Sequence, residues 1–283
     1  MLMHTIDRVK TVIEAGRVVT IVNRDHLTYS SGQLRDHSTD NVIIQPENRD
    51  TASGILFPLI KILKRDPEAI VAIFPSDHFI KEEDRFRDYL RVSVSFVSSR
   101  PDVLIMLGAV PDGPERSYGW IQPGQLVGTH REKTLYTVEG FWEKPTIKTV
   151  QALYGEGCLW NTMIFVARAE SLFQIFRKYT PRMYRSFQEV QAALDSSTEE
   201  SSLNRVFAEL PSADFSRAIL ERNPQILRVI PMKGVYWSDW GDESRIISDC
   251  NRFGLTLREE LLDERMRDQE MRRDQFAKGA LHI

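Results

Sequence analysis

Apolar positions along the first hundred residues switch between two spacings. In "TIDRVKTVIEAG", Ile6, Val9, Val12 and Ile13 fall on one helical face, which predicts a helix closed by Gly16. "RVVTIVN" is a short β-branched run and reads as a buried strand. "DHLTYSSGQLRD" is a candidate helix and "NVIIQ" a strand. "TASGILFPLIKILKRD" then predicts a helix with Thr51 as its N-cap, turning Ile55, Leu56, Leu59, Ile60 and Leu63 inward. Pro58 must kink that helix or lie within its first turns. The strand "AIVAIF", the helix "EEDRFRDYLRVSVSFV" and the strand "VLIML" follow. Strands alternating with helices at these lengths predict an α/β protein, a Rossmann-like and mostly parallel sheet with helices on both faces.

From about Gly108 the pattern loosens. "GAVPDGPERSYGWIQPG" is rich in turn formers, "LYTVEGFWEKP" and "CLWNTMIFVAR" read as strands, and Ala169 to Leu210 as several helices. The closing "LREELLDERMRDQEMRRDQFAKGALHI" is densely charged and poorly amphipathic, which predicts a solvated helix or frayed tail over 258–283.

Composition adds exclusions. At 283 residues, 42% hydrophobic and 27% charged, the chain can bury a full core. A formal net charge of -3 offers no basic field for nucleic acid, and the longest apolar runs are too short for a bilayer span, so neither partner is expected. Cys158 and Cys250 lie far apart with no C-x-x-C pair, and "MLMHTIDRVK" lacks the apolar region of a signal peptide. A reducing cytoplasm with two unpaired thiols fits both features.

Candidate chemistry begins at "FPSDHFI". In an open parallel sheet, residues just after a strand face the ligand crevice, and Asp77 holds such a position. A lone Asp there also serves as a cap or turn former, and the residues by themselves leave both readings open. His78, with no partner at metal spacing, is assigned to supporting hydrogen bonds or packing behind the turn.

The ordered set "QPENRDTASGI", "FPSDHFI", "YGWI", "FWEKP", "LWNTMIF" and "VYWSDWGD" resembles the sugar-phosphate nucleotidyltransferases, most closely the mannose-1-phosphate guanylyltransferases, from about Thr5 to Phe253. The resemblance implies a domain over 1–257, its nucleotide-side half at 1–107 and its sugar-side half at 108–257. It implies nucleotidyl transfer, GMP from GTP to mannose 1-phosphate, with release of pyrophosphate. Asp77 and Asp239 match the family's magnesium ligands, carboxylates suited to an ion that keeps much of its water. Lys144 matches the lysine that holds the sugar phosphate, and these three are the implied catalytic residues. Glu143 and Asn161 match acceptors and donors for sugar hydroxyls, and Gly119 lets backbone approach the sugar, although a turn would also explain that glycine. Gln45, Pro46, Arg49, Thr51 and Ala52 match the loop that borders the nucleobase. Asp50 stands where the guanylyl enzymes usually carry Asn, and Thr162-Met163 where they carry Ser-Gly, so Met163 narrows the sugar pocket or points to the core.

Family members open with a strand and a Gly-rich loop, approximately G-G-x-G-T-R-L-x-P-x-S-R followed by a P-K pair. The sequence here starts at "MLMHTIDRV", which matches the helix after that loop. The expectation is a sheet lacking its first strand, impaired catalysis, and completion by another segment, by a homo-oligomer or by an intact homologous partner. A catalytically silent module that binds sugar phosphate or nucleotide is the alternative.

Overall fold

The computed structural model describes residues 1–35 and 37–256. They fall into two compact units, Met1–Trp237 and the described part of Ser238–Ile283. The tail expected over 258–283 lies outside the described residues.

The first unit opens with α1 (Leu2–Lys10), β1 (Thr20–Asn23), α2 (Leu27–Ser30), β2 (Val42–Gln45) and α3 (Asp50–Arg65). Next come β3 (Ile70–Ile73), β4 (His78–Ile80), α4 (Glu83–Ser99), β5 (Leu104–Ala109), β6 (Gly119–His130) and β7 (Lys133–Trp142). It continues through α5 (Ile147–Gly155), β8 (Leu159–Arg168), α6 (Ala169–Tyr179), α7 (Pro181–Ala193), α8 (Glu199–Glu209) and β9 (Leu227–Met232). β10 (Trp237–Asp239) leads into the second unit, which holds α9 (Glu243–Phe253).

The central sheet has six strands in the order β3-β8-β5-β9-β7-β6, and β1 and β2 pair in parallel as a sheet of their own. The pairings give β3, β5, β6 and β9 one direction and set β7 and β8 against them. The α/β class is as expected, and the sheet is mixed because the antiparallel β7 and β8 insert between strands that share a direction.

Strand β5 is buried throughout, and its alternation divides the core. Leu104 and Met106 join Leu56, Leu59 and Ile60 of α3 and Phe176, Phe187 and Phe207 of α6 to α8. Ile105 and Leu107 join Phe86, Leu90 and Val97 of α4. Helices therefore cover both faces.

Three helices differ from their sequence patterns, and α2 covers only Leu27–Ser30 of its candidate stretch. α1 stops at Lys10 rather than running to Gly16, because Thr11, Val12 and Ile13 are successive β-branched residues and the Thr11 hydroxyl donates to the Arg8 carbonyl at 3.2 Å. α3 starts at Asp50 with Arg49 as its cap, so Thr51 lies inside the first turn instead of capping it. The Thr51 N–H is instead satisfied by the Asp50 carboxylate at 2.7 Å. The same helix continues through Pro58, since Ile55, Leu56, Phe57, Leu59 and Ile60 are all buried around it. No helix among the described residues is long and apolar enough to cross a membrane.

Candidate active site

Three residues of the expected sugar side meet at the start of β6. Gly119 pairs with Asn161 of β8, and a Cβ on Gly119 would lie 2.7 Å from Glu143 Oε2 and 3.0 Å from the Asn161 Cβ. Glycine lets these two side chains pack directly against the strand backbone. Strand β8 bulges at this point, because Met106 of β5 pairs with Phe165 while Gly108 pairs with Asn161. Side chains stitch the bulge: Asn161 Oδ1 accepts from the Met163 N–H at 2.9 Å, and Thr162 Oγ1 donates to the Leu107 carbonyl at 2.5 Å. Met163 takes a left-handed φ of 53°, an uncommon conformation for a side chain of its size. It is half-buried and packs against the core on the α3 side, and its Sδ lies 3.1 Å from Ser216 Oγ.

Lys144, in the loop between β7 and α5, is also left-handed, with φ 51°. Its side chain is exposed and makes no hydrogen bond or ion pair among the described residues. The neighbouring Glu143 carboxyl is raised above its ordinary range, first by burial and then by Asp214. Lys144, Arg217 and a hydrogen bond from Ser216 oppose that rise.

Sequence reasoning missed the segment that organises this cluster. Ser216 Oγ accepts from Asn161 Nδ2 at 3.3 Å, the Glu221 carboxylate accepts from the Glu143 N–H at 3.1 Å, and Asp214 Oδ1 accepts from the Arg217 N–H at 2.8 Å. Residues Ser216–Leu220 form a π-helical turn, a geometry that recurs at functional sites. The one readable signal was Asp214 three residues ahead of Arg217, the spacing of a helix cap.

The same segment holds the expected nucleobase loop. The Ala52 N–H donates to the Ala213 carbonyl at 3.0 Å, the Ala213 N–H to the Arg49 carbonyl at 3.2 Å, and the Phe215 N–H to Thr51 Oγ1 at 2.8 Å. Arg49 donates to the carbonyls of Phe207 at 2.7 Å and Ala208 at 3.2 Å, and to Glu47 at 2.6 Å. Polar groups of Arg49 and Thr51 are thus engaged within the fold, and Ala52 is buried. Gln45 is paired with Asn23 at the carboxyl ends of β1 and β2, and its Nε2 donates to Asn23 Oδ1. Its Oε1 is buried with no partner among the described residues. Pro46, next along, is half-buried.

Asp77 follows β3 in the turn foreseen for it, with its carboxylate 47% exposed. His78 is buried behind the turn. Its Nδ1 accepts from Trp237 Nε1 at 3.2 Å, which leaves the ring proton on Nε2, 4.0 Å from Asp77 Oδ1. Buried Arg8 secures the turn from α1, donating to the His78 carbonyl at 3.4 Å and to Glu83 at 3.0 Å. Burial lowers the Arg8 pKa and Glu83 partly offsets it. His78 thus packs behind the turn with its Nδ1 engaged by Trp237.

In the second unit, Asp239 Oδ1 accepts from the Gly241 N–H at 2.7 Å, and Oδ2 lies 3.3 Å from Arg245 Nη1. A Cβ on Gly241 would fall 2.8 Å from Asp239 Oδ1, so a side chain there would push the carboxylate aside. Asp242 caps α9 through the Ser244 N–H at 2.9 Å, and Trp240 Nε1 donates to the buried Asp249 at 2.7 Å. Neither cysteine joins the cluster. Cys158 is buried, with its thiol pushed up to about 11 by burial and Glu156, and Cys250 is half-buried.

Carboxylates and a polar cluster gathered at strand ends are where an α/β sheet binds ligands. A sequence model of the nucleotidyl transferase family matches residues 1–252, and the chain belongs to that family. It is similar to the mannose-1-phosphate guanylyltransferase of Escherichia coli (strain K12), 30% identical over 252 residues that cover 87% of this chain and 52% of the relative. It is also similar to the mannose-1-phosphate guanylyltransferase ManC of Salmonella typhimurium, 29% identical with the same coverage. The chain spans about half the length of the curated relatives it matches. Among solved structures, its fold is similar to that of a mannose-1-phosphate geranyltransferase from Thermus thermophilus. There the TM-score is 0.72 at 24% identity, covering 85% of this chain and 66% of that one. A mannose-6-phosphate isomerase from Helicobacter pylori gives a TM-score of 0.66 at 16% identity, covering 84% of this chain and 90% of that one.

Proposed function

We propose that the chain carries the sugar-phosphate side of a guanylyl transfer: an oxygen of mannose 1-phosphate attacks the α-phosphorus of GTP, and the bond to the leaving pyrophosphate breaks. The observation that carries this reading is the convergence of Gly119, Glu143 and Asn161, which sets a carboxylate and an amide close against buried backbone that only a glycine can supply. A hexose presents hydroxyl donors and acceptors that suit both groups. Lys144, exposed and without a partner among the described residues, is available for the phosphate. The guanylyltransferases of Escherichia coli and Salmonella typhimurium support the choice of sugar and base.

On the nucleotide side, Gln45, Pro46, Arg49, Thr51 and Ala52 border the base, and the unpartnered Gln45 Oε1 is an acceptor for a base N–H. Asp77 and Asp239 would hold Mg²⁺, to which their carboxylate oxygens are chemically suited. The ion, when bound, supplies positive charge that neutralises phosphate oxygens. The alternative reading is a catalytically silent module that binds sugar phosphate or nucleotide. Two free cysteines suit a cytoplasmic setting.

Calorimetry with mannose 1-phosphate, alongside pyrophosphate release from GTP, tests this. Weak binding is expected, reduced roughly tenfold or more by Lys144→Ala, in line with loss of a charge-assisted hydrogen bond. Binding that is indifferent to the substitution would move the phosphate elsewhere. Turnover by the parent chain would favour the enzyme, and binding without turnover the silent module.

A further inference from the structure

Most cations of the first unit outside this cluster are occupied within the fold. A cavity of about 690 Å³ is lined by Gly16, Asn41, Lys61 and Arg65 among others. Its cations are already paired: Lys61 with Glu199 at 2.6 Å, and Arg65 with Asn41 Oδ1 at 3.0 Å and the Asp40 carbonyl at 2.8 Å. Arg217 differs. It is exposed, and its guanidinium makes no hydrogen bond or ion pair among the described residues. Its backbone is nevertheless fixed, by the 2.8 Å bond from its N–H to Asp214 Oδ1.

Its neighbours in the same short turn reach the sugar-side cluster from both directions. Ser216, just before it, holds the Asn161 amide at 3.3 Å. Glu221, four residues on, holds the Glu143 N–H at 3.1 Å. Residues four apart on a helical segment lie near one face, so the Arg217 side chain starts from the face that Glu221 presents to the loop of Glu143 and Lys144.

We infer that Arg217 is a second phosphate-binding cation of this site, acting with Lys144 on the phosphate of a sugar 1-phosphate. The inference rests on the sugar-phosphate reading above. Charge balance favours it. Glu143, Asp214 and Glu221 bring three carboxylates, against which Lys144 alone would leave strong negative charge facing a phosphate dianion. Arg217 offsets part of that charge, and its field already reaches the Glu143 carboxyl. A guanidinium fork also engages two phosphate oxygens at once, whereas an ammonium acts as a point charge. Sugar hydroxyls would face Glu143 and Asn161, with the phosphate between Lys144 and Arg217.

The test is titration calorimetry on the 283-residue chain with mannose 1-phosphate, inorganic phosphate and free mannose, comparing the parent with Arg217→Ala and Arg217→Lys. Arg217→Ala should weaken mannose 1-phosphate roughly ten- to a hundredfold, the size of a lost hydrogen bond to a charged group. Arg217→Lys should recover part of the loss. Melting temperature and any affinity for free mannose should stay unchanged, since the side chain is exposed. Unaltered mannose 1-phosphate binding by Arg217→Ala overturns the assignment and leaves the sugar-phosphate reading standing. An equal loss for free mannose overturns it as well, because the effect would then be structural. Should the parent bind inorganic phosphate in an Arg217-dependent way but not mannose 1-phosphate, Arg217 is upheld and the sugar reading fails. A parent that binds neither phosphate overturns both.

Discussion

Glu143 sits where burial and function pull in opposite directions. Burial and Asp214 keep its carboxyl protonated to higher pH than in the unfolded chain, where the ordinary value is 4.5. The folded state therefore holds more protons over the interval above 4.5, and stability falls as pH rises through it. Gln carries no such titration. Glu143→Gln should gain thermal stability over the parent as pH is raised from about 4 to 7 while losing mannose 1-phosphate affinity, checked by melting curves across that range. A stability gap that is flat with pH would refute the assigned burial effect. Strain gathers at the same place: Lys144 and Met163 are both left-handed without being glycine, each at a cost of about 1–2 kcal/mol. The strings "YGWI", "FWEKP" and "LWNTMIF" made Gly119, Glu143, Lys144 and Asn161 legible as candidates. Ser216 and Arg217 were not, because serine and arginine in a helix-like stretch resemble any solvated face.

At the scale of elements, helix α3 and the segment 213–215 act as a bracket. The Thr51 hydroxyl accepts the N–H of Phe215, whose ring is fully buried, and the backbone of Arg49 and Ala52 pairs with Ala213. Thr51→Ala should cost about 1–2 kcal/mol, because the N–H of Phe215 loses its acceptor, whereas Thr51→Ser should keep most of that stability. Urea denaturation measures both. Equal stability of all three forms would return Thr51 to a purely ligand-facing role. The sequence pattern located α3 and its buried face but misassigned its cap, since a hydroxyl near a helix start can serve either its own helix or a distant strand of backbone. The bulge in β8 was likewise hidden, as periodicity registers which residues are apolar and not where two strands fall out of step.

For the whole molecule, the proposed metal site makes a strong demand, since Asp77 and Asp239 come from widely separated segments and would share one ion. Asp77→Asn and Asp239→Asn should each weaken Mg²⁺-dependent GTP binding by about tenfold or more, and the double variant should lose little beyond either single one, because the two would act as one site. Calorimetry with and without Mg²⁺ checks this, and variants that bind like the parent would dismiss the pair. Alternating apolar runs and helical spacing determined most of the element order as far as β5, the burial of that strand and the α/β class, because burial periodicity is a local property written into neighbouring residues, whereas the start of β6 read as turn formers. The turn carrying Asp77 was equally local, ending an apolar run with Pro75-Ser76-Asp77. Tertiary structure alone decided that β7 and β8 oppose the other strands of the sheet, that Arg49 spends its guanidinium on the end of α8, and that Ser216 and Glu221 bond to Asn161 and Glu143. These choices join residues far apart in the chain, and a polar side chain's own neighbours carry no record of the partner that satisfies it.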